Sequence, residues 1–405
     1  MSNFAFGTYR ISDYNPQHIE ALKFAIESGI TMIDTSSNYM DGGAERAIAI
    51  ALSKFDDSKK DEIEIVSKFG YIQNSNMQRH KDTPFEDVVE YSPDCYHSIS
   101  QSFQEDQLTH SLKRLERSSI DCYLIHNPEY YLLDAINKGI DKDDRMDEMY
   151  KRLFDSFMGL ELEVQNGRIK SYGISSNSFS VPHNSDEFLP YEDLLTLAQD
   201  AAKELGNPTH SFTTIELPIN LLEREGLKCA SWAKENGLRV LANRPLNAQY
   251  ENLMFRLADY DESFEYYNYF NELMEVCDNE LLRPIFTLLE QLDDNKHKFG
   301  WIGDYDSFLF TQIVPHIKST FEKIDDANRE TIFTMIDQFL QEYRKMVSYE
   351  CSRTTKMKLK NFLKECTASM QECAIRFLMN QENIDYVLVG MRKSTYVSEV
   401  LAIEK

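Results

Sequence analysis

Short apolar stretches alternate along this chain with longer stretches whose apolar residues recur every three or four positions. The short stretches have the length and composition of buried strands, and the longer ones have the periodicity of amphipathic helices. Strands that alternate with covering helices are typical of a parallel sheet. The pattern predicts eight strands, at residues 4–9, 31–34, 62–68, 119–126, 169–175, 212–216, 238–243 and 386–390.

Several predicted strands run through apolar residues and then end in a polar side chain. A closed (β/α)8 barrel and an open eight-stranded sheet would show the same periodicity. The polar residues at the strand ends help to decide between these two folds. In a barrel, the C-terminal strand ends open onto one face, where active sites are built. Polar ends on five strands would converge there, which favours a (β/α)8 TIM barrel. The five residues are Asp34, Lys68, His126, Ser175 and Glu216.

The alternation breaks between the seventh and eighth predicted strands. Connections between a strand and the next helix usually take about 2–6 residues, whereas long helical stretches run here from residue 247 to about residue 364. We therefore predict one barrel over residues 1–405 that carries a large helical insertion, residues 250–365, in the loop after strand 7. The insertion is rich in aromatic residues, which suits a helical core of its own, a lid over the active site, or both.

The charge balance excludes some classes of partner. The 405 residues contain 43 Lys plus Arg and 67 Asp plus Glu, a formal net charge of -24. Such an acidic surface repels phosphate backbones, so we expect binding neither to nucleic acid nor to anionic membranes. No stretch approaches the about 18 apolar residues of a membrane span, and the first ten residues lack the pattern of a signal peptide. A cytoplasmic protein is predicted, and its oligomeric state, monomer or dimer, stays open.

Metal sites and the common phosphate-binding loops are disfavoured. The seven cysteines are scattered without a C-x-x-C pair, and His80, His97 and His110 have no ligand spacing, so we predict no metal site. Only 15 glycines occur, and neither G-x-G-x-x-G nor G-x-x-x-x-G-K-[ST] is present. Doubly wound dinucleotide-binding folds and P-loop enzymes are therefore disfavoured.

Four side chains at or near the predicted strand ends suit the reduction of a carbonyl group. Tyr39 follows Asp34 by five residues, and Lys68 and His126 end the next two strands. A tyrosine has an ordinary pKa of about 10, and an ammonium about 4 Å away favours the phenolate by up to about 4 kcal/mol at a dielectric constant of about 20. We therefore expect Lys68 to lower the pKa of Tyr39 and Asp34 to hold the lysine. His126 would donate a hydrogen bond to the substrate carbonyl.

The order of these motifs resembles the aldo-keto reductase family over nearly the whole barrel. The resemblance implies an NADP(H)-dependent oxidoreductase that reduces an aldehyde, ketone or sugar carbonyl, or oxidises the alcohol, with the cofactor extended across the barrel mouth. It makes Tyr39 the general acid and base. The similar segments are FGTY (6–9), IDTSSNYMDGGAE (33–45), IVSKFGY (65–71), SLKRLERSSIDCYLIHNPE (111–129), GRIKSYGISSNSF (167–179), IELPINLLE (215–223), LANRPLNA (241–248) and VLVGMRKSTYVSE (387–399).

The resemblance also implies which residues bind the cofactor. NADPH is expected, with NADH as the alternative, because Arg392 stands where family members contact a 2′-phosphate. Glu216 stands where the family usually has a glutamine. The nicotinamide and its ribose would be held by Gly7, Thr8, Asp34, Ser175, Ser176, Asn177 and Glu216, and the phosphates and adenosine by Arg244, Gly390, Arg392, Lys393 and Glu399.

The two ends of the chain suggest how the substrate is enclosed. The chain begins almost at the first strand and ends at Lys405, so we expect neither the N-terminal hairpin that usually plugs the barrel nor a C-terminal substrate loop. The insertion would then close over a small carbonyl substrate. A second hypothesis stays open, a non-catalytic NADP(H)-binding regulator or redox sensor that uses the insertion to bind a partner.

Overall fold

The strands of the computed structural model form a closed parallel barrel and two small sheets. The structure describes residues 3–250, 253–277, 280, 282–322, 329–364 and 366–403. Within them the strands are β1 (Phe4–Gly7), β2 (Met32–Asp34), β3 (Glu64–Phe69), β4 (Tyr71–Ile72), β5 (Val89–Ser92), β6 (Cys95–His97), β7 (Ile120–His126), β8 (Ile169–Ser175), β9 (Phe212–Pro218), β10 (Arg239–Asn243), β11 (Asn247–Tyr250), β12 (Leu253–Arg256) and β13 (Tyr386–Val389). Eight of them close the barrel in the order β1-β13-β10-β9-β8-β7-β3-β2. The predicted (β/α)8 fold is confirmed, and each predicted strand overlaps an observed one.

Helices follow the barrel strands as the periodicity predicts. Buried apolar residues recur along one side of the first helix, at Ala21, Leu22, Ala25 and Ile26, as an amphipathic helix requires. The helices are α1 (Pro16–Glu27), α2 (Gly43–Leu52), α3 (Asp57–Asp61), α4 (Asn74–Asp82), α5 (Gln101–Leu115), α6 (Tyr130–Asn137), α7 (Lys142–Gln165), α8 (Leu194–Glu204), α9 (Gly226–Glu235), α10 (Phe264–Cys277), α11 (Arg283–Asn295), α12 (Ile302–Phe308), α13 (Val314–Phe321), α14 (Arg329–Lys358), α15 (Met370–Met379) and α16 (Ser394–Ile403).

The strand register brings the polar strand ends to one rim of the barrel. Gly7 pairs with Asp34 across β1 and β2. On the other side of the barrel, His126 pairs with Ser175, and Ser175 pairs with Glu216. Small and branched side chains fill the interior behind this rim, so the barrel is a packed core and not a pore. These interior residues are Ala5, Met32, Val66, Cys122, Leu124, Leu241 and Leu388.

The enlarged loop after β3 has secondary structure that the periodicity did not predict. β4 and β5 both pair antiparallel with β6, which makes a three-stranded sheet. Gly70 leads into this sheet with φ +150°, and a Cβ there would lie 2.6 Å from the His126 carbonyl oxygen and from His97 Nε2. Only glycine fits such a close approach. The loop after β7 contains α6.

The chain divides into two compact units, Met1–Pro245 with Ile375–Lys405, and Leu246–Ala374. We call the first the barrel unit and the second the insertion unit. The insertion unit holds the β11-β12 hairpin and helices α10 to α14, around a buried core that includes Tyr266, Tyr305, Phe339 and Tyr343. The predicted boundary at residue 365 lies outside the described residues, and the role of this unit as a lid stays a prediction.

The cysteines are mostly buried thiols, as their scatter suggests. Cys366 and Cys373 form a disulfide within the insertion unit, a pairing that the spacing did not predict. The other five, Cys95, Cys122, Cys229, Cys277 and Cys351, are free and buried. Across the described part of the chain, no helix has both the length and the apolar character that a membrane crossing requires.

Candidate active site

A buried lysine lies between two buried carboxyl groups at the rim of the barrel. Lys68 Nζ donates a hydrogen bond to Asp34 Oδ1 and lies 3.2 Å from Glu216 Oε2. It also donates to the Thr35 carbonyl oxygen at 3.1 Å. Lys68 is fully buried, so water cannot solvate its charge. The two carboxyl groups and the Thr35 carbonyl oxygen stabilise the ammonium in place of water.

The cluster contains two carboxyl groups and one ammonium, and this composition affects the pKa values of Asp34 and Lys68. Burial raises the pKa of Asp34 well above its ordinary value, and the nearby Glu216 charge raises it further, while Lys68 opposes both. Burial favours a neutral Lys68, yet the Asp34 and Glu216 charges raise the pKa of the ammonium overall. The lysine is therefore held as a cation.

Tyr39 stands beside this cluster in the loop after β2. The centroid of its ring is 5.4 Å from Lys68 Nζ. The ring makes edge contacts with the rings of Tyr9 and His126, at centroid distances of 5.2 Å and 6.0 Å. Tyr39, Lys68 and His126 thus come together as the sequence predicts. Tyr39 as a whole residue is half-buried.

The pKa of Tyr39 is raised overall, so the predicted lowering is wrong. Burial raises the pKa of the phenol, the Lys68 charge lowers it, and the Asp34 and Glu216 charges raise it again. The prediction from the sequence included the effect of the lysine on the Tyr39 pKa. It included neither the burial of the phenol nor the charge of the second carboxyl, Glu216. Tyr39 therefore keeps its proton at neutral pH, as a proton donor must.

His126 is a neutral imidazole with two polar neighbours. Ser36 contacts its ring, and His97 contacts its backbone carbonyl. Its burial lowers its pKa well below the ordinary value, and the charges of Lys68 and of a protonated His97 would lower it further. Ser36 Oγ lies 3.2 Å from His126 Nδ1 and donates to Asn38 Oδ1 at 2.7 Å. His97 Nε2 lies 2.7 Å from the His126 carbonyl oxygen.

Ser36 and Asn38 were missed as site residues. Ser36 Oγ lies within hydrogen-bond distance of His126 Nδ1 and donates to Asn38 Oδ1, so both residues help to hold the His126 side chain. Asn38 is in turn oriented by its bond to Gln73 Oε1 at 3.3 Å. The available signal was the polar run TSSN between Asp34 and Tyr39 in the sequence.

Aromatic side chains form a wall beside His126. The Tyr71 ring lies 4.9 Å from His126 and 5.3 Å from Tyr130. The Tyr71 hydroxyl accepts a hydrogen bond from Asn127 Nδ2 at 2.5 Å. The two tyrosines of this wall come from β4 and α6, in the loops after β3 and β7.

The ends of β8, β9 and β10 present amide-binding chemistry. Ser175 Oγ donates to Glu216 Oε1 at 3.1 Å, and Asn243 Nδ2 donates to the same oxygen at 2.9 Å. Asn243 Oδ1 is buried without a hydrogen-bond partner. A buried orphan acceptor beside a carboxyl and a hydroxyl fits the donors and acceptor of a primary carboxamide, so these residues fit the nicotinamide group of a dinucleotide.

Ser176 and Asn177 bind a buried glutamate that was not predicted. Ser176 Oγ donates to Glu129 Oε2 at 2.8 Å, and the Asn177 backbone N–H donates to Glu129 Oε1 at 2.9 Å. Burial raises the pKa of Glu129, and these hydrogen bonds partly oppose the rise. Ser176 is therefore committed to holding the β8 loop, whereas the Asn177 side chain is exposed.

Gly7, Thr8 and Gly390 lie at the neighbouring ends of β1 and β13. Thr8 is fully buried, and its hydroxyl donates to the Asp34 carbonyl oxygen at 2.9 Å, so it supports β2. A Cβ on Gly7 would lie 3.6 Å from the Val389 carbonyl, an ordinary contact distance. The two glycines leave this rim without side chains, which allows a ligand to approach the backbone.

The cations predicted for the phosphates follow the ends of β10 and β13. Arg244 has φ +53° directly after β10 and forms an ion pair with Glu223 Oε1 at 2.7 Å. Arg392, Lys393 and Glu399 are exposed. Within the described part of the chain, no group of three or more His, Cys, Asp or Glu residues is arranged to hold a metal.

Comparison with known proteins gives a family match over the barrel. The family described as "Aldo/keto reductase family" matches residues 3–250. The aldo-keto reductase YhdN of Bacillus subtilis (strain 168) is 26% identical over 225 residues, 55% of this chain and 50% of that protein. The chain therefore spans about half the length of this curated relative.

Comparison with solved structures gives matches at low identity. The glycerol dehydrogenase AKR11B4 from Gluconobacter oxydans has a TM-score of 0.51 and 18% identity, covering 100% of this chain and 87% of that one. An aldo/keto reductase from Klebsiella pneumoniae, in complex with NADP and acetate, has a TM-score of 0.38 and 21% identity, covering 61% of this chain and 65% of that one.

Proposed function

This chain belongs to the aldo/keto reductase family, and on that premise we propose that it is an NADP(H)-dependent oxidoreductase acting on a small carbonyl compound. The substrate would be an aldehyde, ketone or sugar carbonyl, or the corresponding alcohol. We expect it to act in the cytoplasm. The single observation that supports this most strongly is the contact of Tyr39 with Lys68 on one side and His126 on the other.

The cofactor, when bound, supplies a hydride to the carbonyl carbon. Ser175, Glu216 and Asn243 would hold its carboxamide, because they offer a hydroxyl, a carboxyl and an unpaired amide oxygen at adjacent strand ends. Gly7 and Gly390 would allow its close approach to the rim, and Arg392 would bind a 2′-phosphate.

The protein's own part in the reaction is proton transfer and orientation. Tyr39 keeps its proton because burial and two carboxyls raise its pKa, so it donates that proton to the carbonyl oxygen as negative charge develops there. Lys68 stabilises the phenolate left behind. His126 and the aromatic wall orient the substrate. In the reverse direction, the phenolate accepts the proton of the alcohol.

Parallel titrations of the protein with NADPH and NADH test this proposal. Binding is followed by quenching of tryptophan fluorescence and by calorimetry, and we expect NADPH to bind at micromolar concentrations and NADH more weakly. If neither bound below millimolar concentrations, the proposed function would be lost. Retained binding without any carbonyl reduction would favour the regulatory alternative, a redox sensor on the same fold.

A further inference from the structure

Glu216 places a buried carboxyl group near the C-terminal end of β9, and its side chain is 2% exposed. Its Oε1 accepts hydrogen bonds from the Ser175 hydroxyl at 3.1 Å and from Asn243 Nδ2 at 2.9 Å. Its Oε2 lies 3.2 Å from Lys68 Nζ. All three neighbours are donors, and an ionised carboxylate only accepts, so these contacts favour the charged form of Glu216.

Glu216 gives the cluster more negative charge than its one ammonium balances. Lys68 also forms an ion pair with Asp34. The Tyr39 phenol and the His126 imidazole carry no charge at neutral pH, because burial raises the pKa of the phenol and lowers that of the imidazole. Whether Asp34 is ionised or protonated, a neutral side chain in place of Glu216 would leave the cluster one unit more positive.

Two buried acceptors at this place have no hydrogen-bond partner among the described residues. They are Glu216 Oε2 and Asn243 Oδ1, on the neighbouring strands β9 and β10. Buried acceptors are normally satisfied, so these two atoms indicate a ligand that donates hydrogen bonds. The NH2 group of a nicotinamide carboxamide has two such donors. The carboxamide is attached directly to the nicotinamide ring, so a carboxamide held here would bring the ring close to the Glu216 charge.

The charge of Glu216 distinguishes the two redox states of the cofactor. The oxidised nicotinamide ring carries one positive charge, whereas the reduced ring is neutral. The phosphates and the adenosine are the same in both states, so their contacts cancel when the two affinities are compared. A buried carboxylate stabilises a nearby cation because little water screens the attraction. The contacts of Glu216 therefore favour the oxidised ring.

We propose that Glu216 makes this site selective for the oxidised cofactor, NADP+ over NADPH. The selectivity rests on the proposed function, in which Ser175, Glu216 and Asn243 hold the carboxamide. Glu216 is then a specificity-determining residue for the redox state of the cofactor. The site would retain NADP+ after a reduction, and carbonyl reduction would slow as NADP+ accumulates in solution.

Calorimetric titrations of the ligand-free protein test this selectivity without turnover. The ligands are NADP+, NADPH and 2′-phospho-ADP-ribose, which lacks the nicotinamide. We expect the wild type to bind NADP+ more tightly than NADPH. In Glu216→Gln, which keeps the shape and loses the charge, the ratio of the Kd for NADP+ to the Kd for NADPH should rise by about 10-fold to 100-fold. A unit charge has this effect over about 6–12 Å at an effective dielectric constant of about 20.

Two further variants separate the charge of Glu216 from its structural contacts. Glu216→Asp keeps the carboxylate and should keep the preference for NADP+. Glu148→Gln removes a partly exposed charge that pairs with Arg152 at 2.8 Å, and it should leave the ratio unchanged. A merely structural role of Glu216 would weaken NADP+ and NADPH equally in Glu216→Gln. Unchanged binding of 2′-phospho-ADP-ribose would show that the variant is folded.

The possible results separate the selectivity from the proposed function. An unchanged ratio in Glu216→Gln, or a wild type that binds NADPH as tightly as NADP+, would overturn the selectivity, while the binding itself would still support the proposed function. The wild-type preference decides the matter if Glu216→Gln does not fold. If the wild type bound neither NADP+ nor NADPH below millimolar concentrations, the proposed function would fail and the selectivity with it.

Discussion

Glu216 Oε2 lies 3.2 Å from Lys68 Nζ, so the lysine of this site has a second buried carboxyl beside it. In the family that this chain resembles, a neutral amide usually occupies the position of Glu216. The extra charge changes the electrostatics of every group around it, because the cluster is buried and little water screens it. Burial is the main cause of the raised pKa of Tyr39, and the Glu216 charge adds to the rise.

The stability of the protein should depend on pH through Asp34. Its folded-state pKa is raised above the ordinary 3.8, so the folded protein binds more protons than the unfolded chain above that pH. Linkage then requires that the free energy of unfolding falls as pH rises from about 4 through the raised pKa, by about 1.4 kcal/mol for each unit of pKa difference at full effect. Glu216→Gln removes the second carboxylate and should reduce this slope.

Thermal unfolding of the wild type and Glu216→Gln between about pH 4 and pH 8 checks this prediction. The Tm difference in favour of the variant should widen as pH rises. The buried histidines also make Tm depend on pH, but they do so in both proteins, so their effect cancels in the Tm difference. Glu148→Gln should follow the wild-type curve, and parallel curves for Glu216→Gln would refute the prediction.

Ser36→Ala should impair catalysis more than cofactor binding. The Ser36 hydroxyl lies 3.2 Å from His126 Nδ1, and without it the imidazole loses a buried hydrogen-bond partner. The loss of one hydrogen bond is worth about 0.5–1.5 kcal/mol, which corresponds to about a 2-fold to 13-fold lower kcat.

The matched control for this change is Ser37→Ala. The neighbouring Ser37 hydroxyl is also buried but has no hydrogen-bond partner among the described residues, so its removal should leave kcat unchanged. Ser36→Thr, which keeps a hydroxyl, should recover part of the activity. Equal losses in Ser36→Ala and Ser37→Ala would show that the His126 contact has no special role.

Arg392→Ala should weaken NADPH binding and leave NADH binding nearly unchanged. A charged hydrogen bond to a 2′-phosphate is worth about 1.5–3 kcal/mol, or about a 10-fold to 150-fold increase in the Kd for NADPH. Arg353→Ala controls for the loss of one positive charge from an acidic protein, because Arg353 pairs with Glu350 in the insertion unit. Equal weakening of both cofactors by Arg392→Ala would contradict a 2′-phosphate contact.

The pH dependence of carbonyl reduction should report a phenol that stays protonated. Because burial and two carboxyls raise the pKa of Tyr39, the rate of hydride transfer should not decline until the pH exceeds the ordinary tyrosine value of about 10. Single-turnover rates measured across the alkaline range check this. A decline well below that value would mean that the Lys68 charge outweighs burial, as the sequence alone suggested.

The sequence was informative wherever a residue's role follows from its position on a strand. Asp34, Lys68, His126, Ser175 and Glu216 end predicted strands, and parallel strands of a closed barrel bring their ends together whatever the loops do. The same reasoning placed the interruption after the seventh strand, where the insertion unit begins at Leu246.

The contacts between side chains could not be predicted in this way. The approach of Glu216 to Lys68 depends on the tilt and register of β9 against β3 across the barrel, which periodicity does not contain. The Ser36 contact with His126 depends on a loop conformation, and the Glu129 contact with Ser176 depends on two loops. The pKa of Tyr39 depends on burial, a property of the folded chain, so its direction could not be read from the neighbouring residues alone.

The central claim is that Tyr39 donates the proton in an NADPH-dependent carbonyl reduction, and Tyr39→Phe tests it most directly. NADPH oxidation is measured with a panel of aldehydes, ketones and sugars for the wild type, Tyr39→Phe and Tyr14→Phe, a tyrosine that is 87% exposed. We expect kcat to fall by about 100-fold to 10,000-fold in Tyr39→Phe, the usual contribution of a general acid, with the Kd for NADPH and the activity of Tyr14→Phe unchanged. Full activity in Tyr39→Phe would contradict the account.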